Sequence, residues 1–190
     1  MNYSTEVAKS IRILSEMLGD RGIDASALEN FSPTEFSNST VFSIDVNPEV
    51  KVICDVTNKF KWAEIKKTLD IDTENLGDLK LIILIVNSQL NNAEQKKLEA
   101  DLKVDYQIFQ LRELQFNISH HRLVPKHELM TDEAEITKVL DRYQVKKNQV
   151  PLILKSDPMA RYLNAKVGNL IKVTRVSPTC GENIVYRSVV

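Results

Sequence analysis

Residues 79–86 read LKLIILIV (Leu79–Val86), and this stretch decides the fold of the first half of the chain. It is nearly all aliphatic, rich in β-branched side chains and only eight residues long. That combination marks a strand buried on both faces, as in parallel sheets with helices on both sides. Its uninterrupted apolar run, Leu81–Val86, is six residues. A membrane helix needs roughly 20.

Working outward, Val7, Ile11, Leu14, Met17 and Leu18 recur at three- and four-residue steps and predict an opening helix. Gly19 and Gly22 can end it. Residues 30–40 (NFSPTEFSNST) read as a loop. Strands are expected over Val41–Val46 and Val50–Val56, separated by the Asn47-Pro48 turn. KWAEIKKTLD predicts a short helix with Trp62, Ile65 and Leu69 inward. Asn91 or Asn92 can cap the helix AEQKKLEADL, and Val104, Tyr106 and Ile108 start another strand. The order predicts a three-layer α/β domain ending near residue 117.

The second half reads differently. TDEAEITKVLDRYQV predicts a helix with Thr131 as candidate N-cap and a buried stripe of Ile136, Val139, Leu140 and Tyr143. Asp157 and Pro158 suit the N-cap and first position of a short helix, which Gly168 or the turn around it closes. Leu170–Val176 and Ile184–Val190 predict a hairpin with a longer loop, SPTCGEN. The fold class expected is therefore α/β followed by a small mixed α+β domain ending in a β-hairpin.

The 190 residues are 43% hydrophobic and 27% charged, an ordinary globular composition. The formal charge of −1 excludes a wholly basic nucleic-acid binder but not a local basic patch. It divides unevenly. Residues 119–190 carry 12 Lys and Arg against 7 Asp and Glu, a net of +5, leaving −6 for residues 1–118. A domain boundary is expected at this change, giving domains 1–118 and 119–190. Two cysteines, Cys54 and Cys180, without CxxC spacing exclude a zinc ribbon and fit reduced thiols. MNYSTEVAKS has no secretory pattern, so a soluble intracellular protein is expected.

Candidate chemistry is thin. His120, His121 and His127 cluster, but a zincin spacing would need histidine where Thr131 stands. Neighbouring His120 and His121 diverge if the segment is extended. Glu64-x-Lys66 with Asp55 upstream has the spacing of metal-dependent nucleases, but Glu64 and Lys66 diverge on the expected helix. Cys180 sits in a turn without a histidine nearby in sequence to act as base. Five glycines form no phosphate loop. The richer set is basic and aromatic: Arg161, Tyr162, Lys166, Lys172, Arg175, Tyr186 and Arg187. It suits an acidic partner or a nucleic-acid backbone, or simply strand edges guarded by Lys and Arg.

Residues 118–190 resemble a known family. ISHHRLVPKHELMTDEA, RYQVKKNQVPLILKSDPMARYLNAKVG and IKVTRVSPTCGENIVYR are similar to the fifth-largest common subunit of eukaryotic nuclear RNA polymerases and to its archaeal RNA polymerase counterpart. The motifs are His-x-Leu-Val-Pro-x-His at 121–127, Asp-Pro at 157–158, Ala-Arg-Tyr at 160–162, and Ser-x-Thr-x-Gly at 177–181 followed by Tyr186-Arg187. Weaker likeness in EMLGDRGI, IILIVN and IFQLRELQFNIS extends the resemblance over essentially the whole chain. Three departures stand out: Asn87-Ser88-Gln89-Leu90 where the family has Thr-Pro-x-Ala, Val167 before Gly168 where it has Arg, and Pro178 at an often acidic position.

The resemblance implies a non-catalytic subunit without cofactors, metal or small-molecule substrate. Residues 1–118 would be a jaw domain directed toward downstream duplex DNA. Residues 119–190 would be an assembly domain docking on the largest polymerase subunit beside neighbouring subunits. His121, Leu123, Val124, Pro125, His127, Asp157, Pro158, Arg161, Tyr162, Gly168, Lys172, Arg175, Gly181, Tyr186 and Arg187 are the family-motif and candidate docking residues. No membrane partner is expected. The divergent first half leaves two sources open: a cellular, nuclear protein, or one encoded by a large DNA virus and located in the virion or a cytoplasmic viral factory. The alternative function is a free-standing adaptor that binds polymerase or transcription regulators through the same C-terminal domain. At −6, the first half is expected to hold duplex DNA weakly by itself, because like charge opposes approach to phosphate.

Overall fold

The computed structural model describes residues 3–29, 40–68, 79–177, 179 and 181–190. The chain divides into two compact units, Met1–Phe116 and Asn117–Val190.

The first unit opens with α1 (Tyr3–Asp20). Its expected stripe, Val7, Ile11, Leu14, Met17 and Leu18, is buried. The helix closes where Gly22 turns to φ +74°. The Ile23 amide donates to Leu18 O and the Gly22 amide to Gly19 O, both at 2.9 Å. That paired closure needs a left-handed residue, which glycine adopts without a Cβ clash. A single helical turn, α2 (Ser26–Glu29), follows. The loop expected over 30–40 lies outside the described residues apart from Thr40, which leads into β1.

Four strands, β1 (Val41–Asn47), β2 (Val50–Asp55), β3 (Leu81–Val86) and β4 (Asp105–Gln110), form a sheet in sequence order. The β1–β2 pair is antiparallel, and β2–β3 and β3–β4 are parallel. Between the parallel strands run α3 (Trp62–Thr68) and α4 (Asn92–Asp101). All six residues of β3 are buried, as its composition predicted. Register assigns the faces. Ile53, Leu84 and Ile108 stand in line and pack with Trp62, Ile65 and Leu98 of the two crossover helices. Val52, Ile83 and Gln107 line the other face. There Arg21, just beyond α1, donates from Nη2 to Gln107 Oε1 at 2.8 Å. So α1 covers one face and α3 with α4 the other, giving three layers. Both crossovers lie on the same face, as right-handed connections between successive parallel strands require.

Details depart from expectation. The buried strand starts at Leu81, two residues late, because the amides of Lys80 and Leu81 both donate to Glu49 O. Asn91 occupies the N-cap of α4, but its side chain accepts no capping bond. Leu69, expected inward beside Trp62 and Ile65, lies outside the described residues.

The second unit contains β5 (Lys126–Met130), α5 (Glu133–Tyr143), β6 (Leu152–Ile153), α6 (Pro158–Tyr162), β7 (Leu170–Ser177) and β8 (Gly181–Val189). The sheet order is β5-β7-β8-β6. Neither β5 nor β6 was expected. The N-cap of α5 is Asp132, not Thr131: its Oδ1 accepts from the Ala134 amide at 2.8 Å. The carboxylate also sits where the helix dipole favours negative charge. Tyr143, expected within the buried stripe of α5, is 53% exposed. The hairpin is tighter than expected: Ser177 pairs with Gly181, so only residues 178–180 connect the strands. Gly181, at φ +70°, makes that short return feasible. Pro178 and Cys180 lie outside the described residues.

This sheet is also covered on both faces. Ile171, Val173, Val189 and Ile153 pack with Ala160 and Ala165 on the α6 side. Leu170 and Met130 pack with Ile136 and Val150 on the α5 side. Among the described residues no helix is long and apolar enough to cross a membrane.

Candidate docking surface

Much of the motif series in the second unit is internal framework. Asn117 Oδ1 accepts from the Ser119 amide at 2.9 Å and from Ser119 Oγ at 2.7 Å. Ser119 Oγ is also within hydrogen-bond distance of Tyr162 Oη, at 3.4 Å. Tyr162 is 5% exposed, so this aromatic ties a 3₁₀ turn (Ile118–His120) to α6. Asp157 caps α6, accepting from the Met159 amide at 2.9 Å, and Pro158 starts the helix. Arg161 is half-buried on α6. Gly168, at φ +88°, donates its amide to Val189 O at 2.9 Å and fastens the preceding loop to the end of β8.

The histidine turn is built from local bonds. His121 Nδ1 accepts from the Leu123 amide at 3.2 Å, leaving the Leu123 side chain 76% exposed. His127 Nδ1 lies 2.7 Å from Pro125 O. A carbonyl can only accept, so Nδ1 carries the proton. Val124 and Pro125 are half-buried between them. Among the described residues no group of three His, Cys, Asp or Glu could hold a metal ion.

The basic and aromatic set is not one patch. Lys172 stands opposite Tyr186, and Ile171 opposite Arg187. Side chains alternate along a strand, so Lys172 and Tyr186 share the α5 face while Arg175 and Arg187 take the α6 face. Lys172 approaches Glu128 at 3.4 Å, and Lys126 reaches the same carboxylate at 2.6 Å. The Lys126 hydrogen bond, with Lys172 beside it, holds the Glu128 carboxyl below its ordinary range. Arg187 donates from Nη1 to Leu152 O at 3.2 Å, on the outermost strand β6. Arg175 is exposed near the hairpin end, beside Val176, which is 87% exposed. Lys166 is exposed in the loop after α6.

One concavity among the described residues is lined, besides Tyr186, by residues the motif reading did not single out. Between α5 and β8 runs an apolar groove of about 220 Å³. Val139, Leu140 and Tyr143 form one wall and Ile184, Val185 and Tyr186 the other, with Val145 and residues 149–151 closing its end. Tyr143 and Tyr186 meet edge to face across it. The available signal was the helical spacing of Val139, Leu140 and Tyr143, but that spacing predicts burial, not a groove.

In the first unit the candidate nuclease residues are engaged elsewhere. Asp55 is buried at the end of β2, its Oδ1 accepting from the Thr57 amide at 2.8 Å. Burial raises its carboxyl above the ordinary range, against the Thr57 bonds; the nearby Glu64 charge adds to the rise. Glu64 pairs with Lys61 at 2.5 Å and Lys66 with Asp101 at 3.7 Å. Burial drives the Cys54 thiol far above its usual range, so it is no nucleophile. Ser88, in the segment that departs from the family pattern, accepts from the Phe60 amide at 2.8 Å and so braces the loop before α3.

A family model described as "RNA polymerase Rpb5, C-terminal domain" matches residues 116–189. Over 180 residues the chain is 32% identical to the DNA-directed RNA polymerases I, II, and III subunit rpabc1 of Dictyostelium discoideum. The match covers 90% of this chain and 91% of that protein. Two archaeal proteins, both DNA-directed RNA polymerase subunit Rpo5, match shorter stretches. That of Methanosarcina barkeri is 43% identical over 75 residues, 40% of this chain and 95% of the relative. That of Metallosphaera sedula is 51% identical over 72 residues, 38% of this chain and 86% of the relative.

Proposed function

This chain belongs to the RNA polymerase Rpb5 family, and we propose that it is a non-catalytic structural and assembly subunit of a multisubunit DNA-directed RNA polymerase. The observation that carries this reading is the match along nine-tenths of both chains to a subunit of DNA-directed RNA polymerases I, II and III. The proposed division of labour is an assembly unit over residues 119–190 that docks on the largest subunit, and a jaw unit over residues 1–118 near downstream DNA. Two features support it. The archaeal relatives are little longer than the stretch they share with this chain, so a domain of that size serves as a whole subunit in those proteins. The chemistry-bearing side chains Asp55, Glu64, Lys66 and Cys54 are buried or paired, which suits a subunit that positions others and does not itself react.

Within this reading the candidate docking residues divide by accessibility. Leu123, Arg175 and the exposed parts of the hairpin are free to meet a partner. Asp157, Pro158, Tyr162, Gly168 and Gly181 hold the unit in shape. The cell location follows the source: the nucleus for a cellular subunit, the virion or viral factory for a viral one.

The test is native mass spectrometry of complexes purified through a tag on the full chain. One copy alongside the largest polymerase subunit is expected. Complexes lacking every polymerase subunit would overturn the proposal, and a substoichiometric presence would favour the adaptor function instead.

A further inference from the structure

We infer that the groove between α5 and β8 is a peptide-docking site for an acidic protein segment that carries one or two large apolar side chains. The inference rests on the geometry of the second unit and does not depend on polymerase membership.

Size comes first. At about 220 Å³ the groove is smaller than the roughly 300–1,000 Å³ that encloses a whole small molecule. It suits a side-chain anchor, not a metabolite. Its rim is apolar as well. Tyr143 and Ile184 are large, exposed hydrophobic residues on opposite walls. Leu152, also exposed, stands opposite Ser188. By strand alternation it therefore shares the face of Tyr186 and Ile184 and prolongs the apolar surface beyond the groove. Exposed apolar side chains gathered around a concavity, unlike single ones, mark an interaction site.

Charge then identifies the occupant. Arg142, Lys146 and Lys147 interleave with the lining residues Tyr143, Val145 and Gln149. No carboxylate pairs with any of the three among the described residues. Of the acids nearby, Asp141 is turned away, Glu135 lies one helical turn before Val139, and Glu182 lies toward the hairpin end. Residues of an α-helix advance by about 100° each, so Asp141 lies on the side of α5 away from Val139 and Tyr143 while Arg142 flanks them. On β8, Glu182 alternates onto the same face as Ile184, one pair nearer the hairpin end, and within electrostatic reach of the Lys126 ammonium. An apolar centre whose lining residues are flanked in the chain by three cations without a carboxylate partner is complementary to a segment with the reverse pattern, apolar anchors between Asp or Glu. Nucleic acid suits it less, because the groove offers apolar walls where a phosphate backbone would need donors.

The test uses the full chain and a fluorescein-labelled synthetic peptide with a central Phe-Leu pair between acidic flanks, followed by fluorescence anisotropy. Saturable binding is expected, weakened at least about tenfold by Ile184→Asp, as for loss of one central anchor. Arg142→Glu with Lys146→Glu should weaken it too and flatten its salt dependence. These two sites are on the surface, so this variant stays informative if Ile184→Asp fails to fold; circular dichroism checks both. Peptide binding lost while polymerase co-purification persists would separate the groove from the subunit role. Four results would overturn the inference: no saturable binding; binding that neither variant changes; equal binding of a Lys-flanked peptide; or displacement of the probe by duplex DNA. Self-association of the chain that Ile184→Asp abolishes would also overturn it, assigning the groove to a second copy.

Discussion

The ring of Tyr143, at the end of α5, meets the ring of Tyr186, midway along β8, edge to face with centroids 6.0 Å apart and planes inclined at 61°. The positive edge of one ring lies against the negative face of the other. Tyr143 is exposed and Tyr186 half-buried, so the pair closes the hydrophobic cluster of α5 against the sheet and at the same time shapes the groove above it.

The first prediction concerns that pair. Tyr143→Ala and Tyr186→Ala, combined in a double-mutant cycle and followed by urea unfolding, should show a favourable coupling of about 0.5–1.5 kcal/mol. Additive losses, with coupling within about 0.3 kcal/mol of zero, would mean that the rings are neighbours without a specific interaction.

The second concerns Asp157, whose Oδ1 caps α6 at the Met159 amide. Asp157→Ala should lower the stability of the second unit by about 1 kcal/mol, within the range of about 0.5–2 kcal/mol for lost caps. Asp157→Asn should lose less, because its amide oxygen still accepts from Met159. A urea midpoint for Asp157→Ala equal to that of the unmodified chain would refute the cap.

The third concerns pH. Burial raises the folded Asp55 carboxyl above its unfolded value of about 3.9. Between those two values the folded chain binds more proton than the unfolded one, so stability falls as pH rises through that window. Taken for Asp55 alone, this contribution is most favourable below about pH 3.9, where its carboxyl is protonated in both states. Asp55→Asn removes the charge and keeps an oxygen for the Thr57 amide. The variant should therefore be more stable than the unmodified chain at neutral pH, with the gap closing as pH falls toward about 4. A gap independent of pH, read from unfolding curves across that range, would show that burial of the charge is not its source.

Much of the first unit was legible because its signals are local. The stripe of Val7, Ile11, Leu14, Met17 and Leu18 repeats with the helix, and six aliphatic residues from Leu81 leave no polar face for solvent. Asp157-Pro158 shows its cap in two adjacent letters. The candidate site was less legible. Lys172 and Arg175 belong to the same basic cluster in sequence, yet strand alternation sends them to opposite faces. Tyr162 reads as a surface aromatic beside Arg161, but its ring is buried and its hydroxyl meets Ser119. Tyr143 reads as core, yet in the last turn of α5 its ring packs edge to face with Tyr186 and stays exposed.

The sequence by itself determined the order of the opening helix, the four strands and the two crossover helices in the first half, the capping residues Gly22 and Asp157, and the family. All of these are written in neighbouring residues or in ordered motifs. Only the tertiary structure decided that Lys126–Met130 and Leu152–Ile153 are strands. Neither segment has the apolar alternation of an independent strand. Each gains its backbone hydrogen bonds from a partner distant in sequence, β7 for one and β8 for the other. The groove arises in the same way: its walls come from an early helix and a late strand, and burial at each position is set by whatever packs beside it.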